Sequence, residues 1–181
     1  MNYEFLPKFK VVEFNNLTAL RAGHVLAQFP AYASDVAVAS INNSEGQAVK
    51  FLQNGTIVGL AVDGKIKNYA AGTTAGPMLV FTEELTYGPQ DGLDQFAEQF
   101  DLVVVAGEAT YPNPVYPRCL PLYTGDTFTT NNFSGVAANG YAKVVDGVIT
   151  VQVAADSDTL FKVTKTKLPA GQVALECTYI K

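Results

Sequence analysis

An all-β fold, mainly antiparallel and built as a barrel or sandwich with one short helix near residues 91–100, is the class this sequence predicts. Tight turns are the first observation: Asn54-Gly55, Asp63-Gly64, Asn139-Gly140 and Asp146-Gly147 all sit beside runs of Val, Ile, Leu, Thr and Tyr. Asn-Gly and Asp-Gly supply the positive φ angles that two-residue hairpin loops need. The second is alternation of apolar and polar residues toward the C-terminal end, the period of a half-buried strand. The third is that only DGLDQFAEQF, residues 91–100, places apolar side chains (Leu93, Phe96, Ala97 and Phe100) at helical spacing.

In order along the chain, residues 1–7 mix Tyr3, Phe5 and Leu6 with little periodicity. Residues 8–14 read as a strand and 17–21 as a short connector. Gly23 then releases a second strand, 24–29, which Pro30 stops. Residues 35–41 read as a third strand and 42–46 as a polar loop. A meander follows at 49–53, 56–62 and 65–69, joined by Asn54-Gly55 and Asp63-Gly64 as two-residue loops. Its first hairpin pairs Leu52 with Ile57 and Phe51 with Val58, so both faces are apolar. Such a sheet is covered on both faces, by the rest of its domain or by a neighbour.

Residues 72–76 form a small-residue loop, and Pro77 leads into a strand at 78–82. Asp91 or Asp94 is placed to cap the 91–100 helix. Residues 102–105 read as an apolar strand, and the prolines of YPNPVYPR, 111–118, favour an extended path. Strands at 120–123 and 127–131 flank a turn at Gly125-Asp126.

The clearest segment comes last. A two-residue loop at Asp146-Gly147 pairs Val144 with Ile149 and Ala142 with Val151 on one face. Lys143 then meets Thr150, and Tyr141 meets Gln152, on the other. Strands at 160–168 and 172–180 turn back at Pro169-Ala170-Gly171, with Val173, Leu175, Cys177 and Tyr179 on one face. This divides the chain into a main β domain with an N-terminal arm, 1–134, and a C-terminal β-hairpin subdomain, 135–181, hinged at 134–139. The alternative is that the second part belongs to the same domain.

Composition narrows function. The 181 residues suit one domain, and 48% hydrophobic content is ordinary for a globular chain. Charged residues are only 16%, against roughly 25% in soluble domains. Low charge suits burial against other subunits, or a lean polar surface of Thr, Asn and Ser. A net charge of −5 speaks against nucleic acid, because phosphate binding needs clustered Lys and Arg. None occurs between Lys67 and Arg118, where Glu83, Glu84, Asp91, Asp94, Glu98, Asp101 and Glu108 lie. These carboxylates read as a solvated acidic surface, or as a match to a basic partner. The N-terminus lacks the apolar core of a signal peptide, and no stretch has bilayer-spanning length, so the expectation is cytoplasmic synthesis and no membrane partner. In that setting the four Asn-x-Ser/Thr triplets, at Asn16, Asn42, Asn54 and Asn132, are chance matches.

Little is present from which to build a reactive centre. His24 is the sole histidine, and on a strand it reads as structural. Cys119 and Cys177 lie far apart in strand-like contexts and read as buried small hydrophobes rather than a disulfide. One His and two distant Cys do not give zinc-ligand spacing, and neither a calcium loop nor a phosphate-binding glycine loop occurs. The expectation is no catalytic residue, no cofactor and no metal. Interface chemistry is better represented, by Tyr111, Tyr116 and Arg118 among the prolines of 111–118, and by Tyr3, Phe5 and Leu6 as an arm or a self-packed terminus.

From Leu20 to Thr82 the layout resembles the small decoration, or cement, proteins of tailed-phage heads. The resemblance rests on Ala22-Gly23-His24-Val25-Leu26, on Gly59-Leu60-Ala61-Val62-Asp63-Gly64, and on the loop Ala71-Gly72-Thr73-Thr74-Ala75-Gly76-Pro77. It covers roughly a third of the chain; residues 83–181 fall outside it. It implies a non-enzymatic, β-rich structural protein that binds the outside of an assembled capsid, often as a trimer. The implied partners are major capsid protein subunits and copies of itself, and the implied location is the virion surface. The alternative expectation is a receptor- or glycan-binding β module of a phage fibre or bacterial surface protein, with Tyr111, Tyr116 and Tyr123 stacking on sugars.

Overall fold

The computed structural model describes residues 10–26, 29–32, 34–42, 48–81, 116–168 and 171–181. Strand β1 (Val12–Asn16) leads into helix α1 (Thr18–Ala22), then β2 (Val38–Asn42) and β3 (Ala48–Leu52). Next come β4 (Ile57–Ala61), β5 (Ile66–Asn68), β6 (Thr74–Val80) and β7 (Cys119–Pro121). The C-terminal third supplies β8 (Thr127–Thr130), β9 (Phe133–Ser134), β10 (Gly140–Val145), β11 (Val148–Gln152), β12 (Phe161–Lys167) and β13 (Val173–Tyr179).

These strands make open sheets, so the all-β class holds as a sandwich and not as a closed barrel. Among the described residues a seven-stranded sheet runs β1-β8-β13-β12-β10-β11-β9, a four-stranded sheet runs β5-β4-β6-β7, and β2 pairs with β3. Among the described residues these strands pair antiparallel except β9 with β11, and a single parallel bridge joins Ala31 to Ile66. The 134/135 boundary falls inside the larger sheet, where β8 and β1 continue from β13. The helix expected near 91–100 lies outside the described residues.

Alternation along the strands explains the layering. Ile57, Leu79 and Leu120 face the seven-stranded sheet and pack with Phe128, Phe161 and Leu175 in one core. Their neighbours Val58, Met78, Val80 and Cys119 face the other way, into a second core with Ala31, Val36 and Leu52. The smaller sheet is thus apolar on both faces, through its pairing of β4 with β6 and not through the expected hairpin of Leu52 with Ile57, and the described chain covers both. Aromatic rings lock the first core: Phe128 meets Phe161 edge-on at 5.8 Å between centroids, and Phe161 meets Tyr179 at 5.8 Å.

The turns divide into two kinds. At Asp146-Gly147 the two-residue hairpin forms as expected, with φ of 49° and 80° and Val144 opposite Ile149. Its loop docks on the smaller sheet, where Ile57 N–H donates to Gly147 O at 2.8 Å. Asp63-Gly64 also closes a hairpin, but the loop has three residues, because Ala61 N–H reaches Lys65 O at 2.9 Å. Gly64 takes the positive φ of 76° that ends such a loop.

Asn54-Gly55 does not make a hairpin. Leu52 pairs with Val38 and Ile57 with Leu79, so the turn passes the chain from one sheet to another. Its polar groups are met across the interior: Asn132 Nδ2 donates to Asn54 O at 3.0 Å, and Gly55 N–H donates to Val80 O at 3.0 Å. Asn139-Gly140 is no hairpin either. Gly140 opens β10 opposite Val163, while Asn139 Oδ1 accepts the Lys165 N–H at 2.9 Å. Residues 17–21 fold mostly as α1 rather than a plain connector, and among the described residues of the strand expected at 24–29 a bridge joins Leu26 to Cys119.

Candidate interaction surface

Helix α1 has good helix formers in Ala19, Leu20, Arg21 and Ala22, but its leading residue, Leu17, has no side-chain acceptor. A carboxylate from a distant turn takes that role. Asp126, 1% exposed, accepts the Thr18 N–H at 2.9 Å and the Thr18 hydroxyl at 2.7 Å on Oδ1. Its other oxygen accepts the Tyr123 N–H at 2.9 Å. One buried carboxylate therefore fastens both α1 and the chain at Tyr123, with charge-assisted bonds.

Gly23 then ends the helix at φ 72°, and His24 N–H returns to Ala19 O at 2.8 Å. Beyond it Leu26 exchanges backbone bonds with Cys119 at 2.8 and 2.9 Å, tying this segment to β7. The result leaves Leu20 39%, Val25 42% and Tyr123 41% exposed. His24 stands among them, its Nδ1 3.1 Å from the Tyr123 hydroxyl. Tyr116, 59% exposed, belongs to the segment leading into β7. Exposed apolar and aromatic groups thus lie on α1 and on the segments flanking β7, with an imidazole and a phenol as polar handles.

Of the residues the sequence singles out for partner binding, Tyr116 and Arg118 are described and both are exposed. They flank Pro117, which is buried, and Arg118 O accepts the Phe81 N–H at 2.9 Å, so the segment is fixed by its backbone. Tyr3, Phe5, Leu6 and Tyr111 lie outside the described residues. Leu20, Val25 and Asp126 escaped sequence reasoning. Asp126 has only the turn at Gly125-Asp126 as a local signal, and its partner Thr18 is 108 residues away.

His24 and Cys119 are not arranged as a nucleophile and base. The Cys119 thiol is buried, its Sγ directed to Pro117 O at 3.8 Å, and burial pushes its pKa up to about 12. Cys177 is also a free buried thiol, raised by burial and then by Glu176. The two sit in different cores, as small hydrophobes without a disulfide. Among the described residues no group of three His, Cys, Asp or Glu side chains is placed to hold a metal ion. Among them, too, no helix is long and apolar enough to cross a membrane.

A cleft of about 490 Å³ opens where the β5–β6 connection meets the β10–β11 hairpin. Tyr69, Val144 and Leu160 give it apolar walls, and Lys143, Asp146 and Asp158 give it charge. Nearby, Asp156 organises the loop before β12. Its Oδ1 accepts from Gln152, from the Thr159 hydroxyl at 3.0 Å and from the Asp158 N–H at 2.9 Å, and Lys143 reaches Oδ2 at 3.4 Å. Desolvation opposes ionisation there, but the donors together outweigh it and hold the carboxyl at about 2.

The chain is a β-sandwich that exposes apolar and aromatic side chains beside α1 and β7. Comparison with protein families, curated proteins and solved structures found no match.

Proposed function

We propose that this chain is a structural protein that binds the outer surface of a phage capsid and stabilises it. The observation that carries the reading is the exposed set Leu20, Val25, Tyr116 and Tyr123 around α1 and β7. Large apolar and aromatic side chains are what an interface core requires, and here their backbone is tied down by hydrogen bonds to Asp126 and Cys119. The mechanism is burial of this surface at a seam between major capsid protein subunits, with further contacts among copies of the chain. Repetition over a particle makes modest individual affinities effective through multivalency. The resemblance around Ala22-Gly23-His24-Val25-Leu26 supports the same reading, since that segment forms part of the surface.

Cosedimentation with assembled capsids, alongside light scattering of the free protein, tests it. Saturable binding to particles is expected; a protein that stays in the supernatant at every concentration overturns the proposal.

A glycan-binding module is the second reading, favoured by the 490 Å³ cleft with Tyr69 beside Asp146 and Lys143. Its size falls within the range of small-ligand sites. Saccharide-specific shifts of cleft resonances, without particle binding, would select this reading over the first.

A further inference from the structure

Two Asn-Gly pairs in one chain occupy opposite environments, and the difference has a chemical consequence. We propose that Asn139 is a site of spontaneous, backbone-assisted deamidation in the folded protein, and that the fold protects Asn54 from the same reaction. In this chemistry the main-chain nitrogen of the following residue attacks the side-chain Cγ. A C–N bond forms, the Cγ–NH₂ bond breaks, and ammonia leaves with the proton from the attacking nitrogen. Water then opens the cyclic imide at either carbonyl, giving aspartate or its isomer with the main chain running through the side-chain carbon. No oxidant, metal or enzyme is needed. Glycine as the second residue removes the side chain that would hinder closure.

Asn139 is exposed, in the bend that precedes β10. Its Oδ1 accepts the Lys165 N–H at 2.9 Å. That bond points a donor at the oxygen on which negative charge develops during attack, the arrangement that stabilises a tetrahedral intermediate. Gly140 lacks the side chain that would obstruct closure, and a Cβ there would stand 3.1 Å from Gln152 O.

Asn54 has the same local chemistry in a buried setting. It is 8% exposed, and its backbone carbonyl accepts from Asn132 Nδ2 at 3.0 Å. The nitrogen that would attack, Gly55 N, is committed to Val80 O at 3.0 Å. Cyclisation there requires the turn to leave Val80 and Asn132, which is a local opening of the seam between the sheets.

The product at Asn139 alters the sheet. Either outcome adds a negative charge beside Lys165, and the isomer inserts a methylene into the main chain just before Gly140, the residue that pairs with Val163. Aged molecules therefore carry a changed entry to β10.

Incubation of the intact folded protein in mildly alkaline buffer, followed by peptide mass mapping, tests this. A parallel sample unfolded in urea reports the intrinsic reactivity of both pairs. In urea the two should convert at similar rates; in the folded protein Asn139 should convert at least about tenfold faster than Asn54, because the buried Asn54 turn must first leave Val80 and Asn132 whereas Asn139 lies exposed at the start of the β10–β12 pairing. Equal rates in the folded protein overturn the proposal. So does an Asn139 that stays intact when folded but converts when unfolded.

Discussion

Asp126 Oδ1 accepts two hydrogen bonds from one residue, the Thr18 N–H at 2.9 Å and the Thr18 hydroxyl at 2.7 Å, across 108 positions of sequence. Because Oδ2 also holds the Tyr123 N–H, the carboxylate is the joint between α1 and the β7–β8 turn. Removing it strands three partly buried donors. Asp126→Ala should lower stability by about 2–4 kcal/mol in urea unfolding, the scale for losing charge-assisted bonds in the interior. Asp126→Asn retains one oxygen for Thr18 but turns its NH₂, a donor, toward the Tyr123 N–H, and should lose about half as much. A loss below about 0.5 kcal/mol for Asp126→Ala would show that the joint is not structural.

Surface variants separate recognition from folding. Val25→Ser and Tyr116→Ser replace exposed side chains, so each should change stability by less than about 0.5 kcal/mol. Together they should weaken particle binding by more than about tenfold if these side chains lie at the centre of the interface. Cosedimentation of the double variant provides the measurement. Undiminished binding would move the contact region elsewhere on the molecule.

How much of this was legible in the sequence depended on the distance over which each feature is encoded. The β10–β11 hairpin was readable to the residue, because Asp146-Gly147 sets the loop and alternation sets the faces locally. The same turn chemistry misled at Asn54-Gly55. Gly55 does take a positive φ, 81°, but local chemistry specifies the bend and not the partner of the strand that follows. That partner, β6, was chosen by the two cores, which draw Ile57 and Val58 to opposite sides. Tyr116 and Arg118 stand out by composition, and both are exposed. Leu20 and Val25 were not, since their exposure follows from how Asp126 and Cys119 seat α1 and the bridge at Leu26.

Acid should weaken the loop before β12 through Asp156. Its carboxyl titrates at about 2 in the folded protein, below the roughly 3.9 of an unfolded Asp. Between those values the unfolded chain binds more protons, so the stabilisation is complete above about pH 4 and is lost as pH falls toward about 2. Asp156→Asn removes the titration while leaving an amide in place. The gap in Tm between the parent and this variant should therefore be constant from pH 7 to about 4.5 and shrink below it. A gap that stays constant to pH 2.5 would mean that the hydrogen-bonded carboxylate adds nothing to stability.

The two positive-φ glycines of the central turns should respond differently to alanine. Gly55 and Gly64 have φ of 81° and 76°, so each substitution pays the left-handed strain of about 1–2 kcal/mol. At Gly64 nothing lies within 4 Å of an added Cβ, and strain is the whole cost. At Gly55 the Cβ would meet Thr130 Oγ1 at 2.5 Å and Asn132 Cβ at 3.0 Å. Thr130 has little room to yield, because its hydroxyl donates to Val11 O at 2.9 Å and accepts the Asn132 N–H at 3.0 Å. Rotating it away sacrifices both bonds in a buried seam, which adds about 1–3 kcal/mol of overpacking and lost hydrogen bonding. Urea midpoints should thus fall further for Gly55→Ala than for Gly64→Ala, with a difference of at least about 1 kcal/mol. Equal losses would mean that the seam joining the two sheets is loose enough to admit a methyl group, and that Gly55 is required for its φ alone.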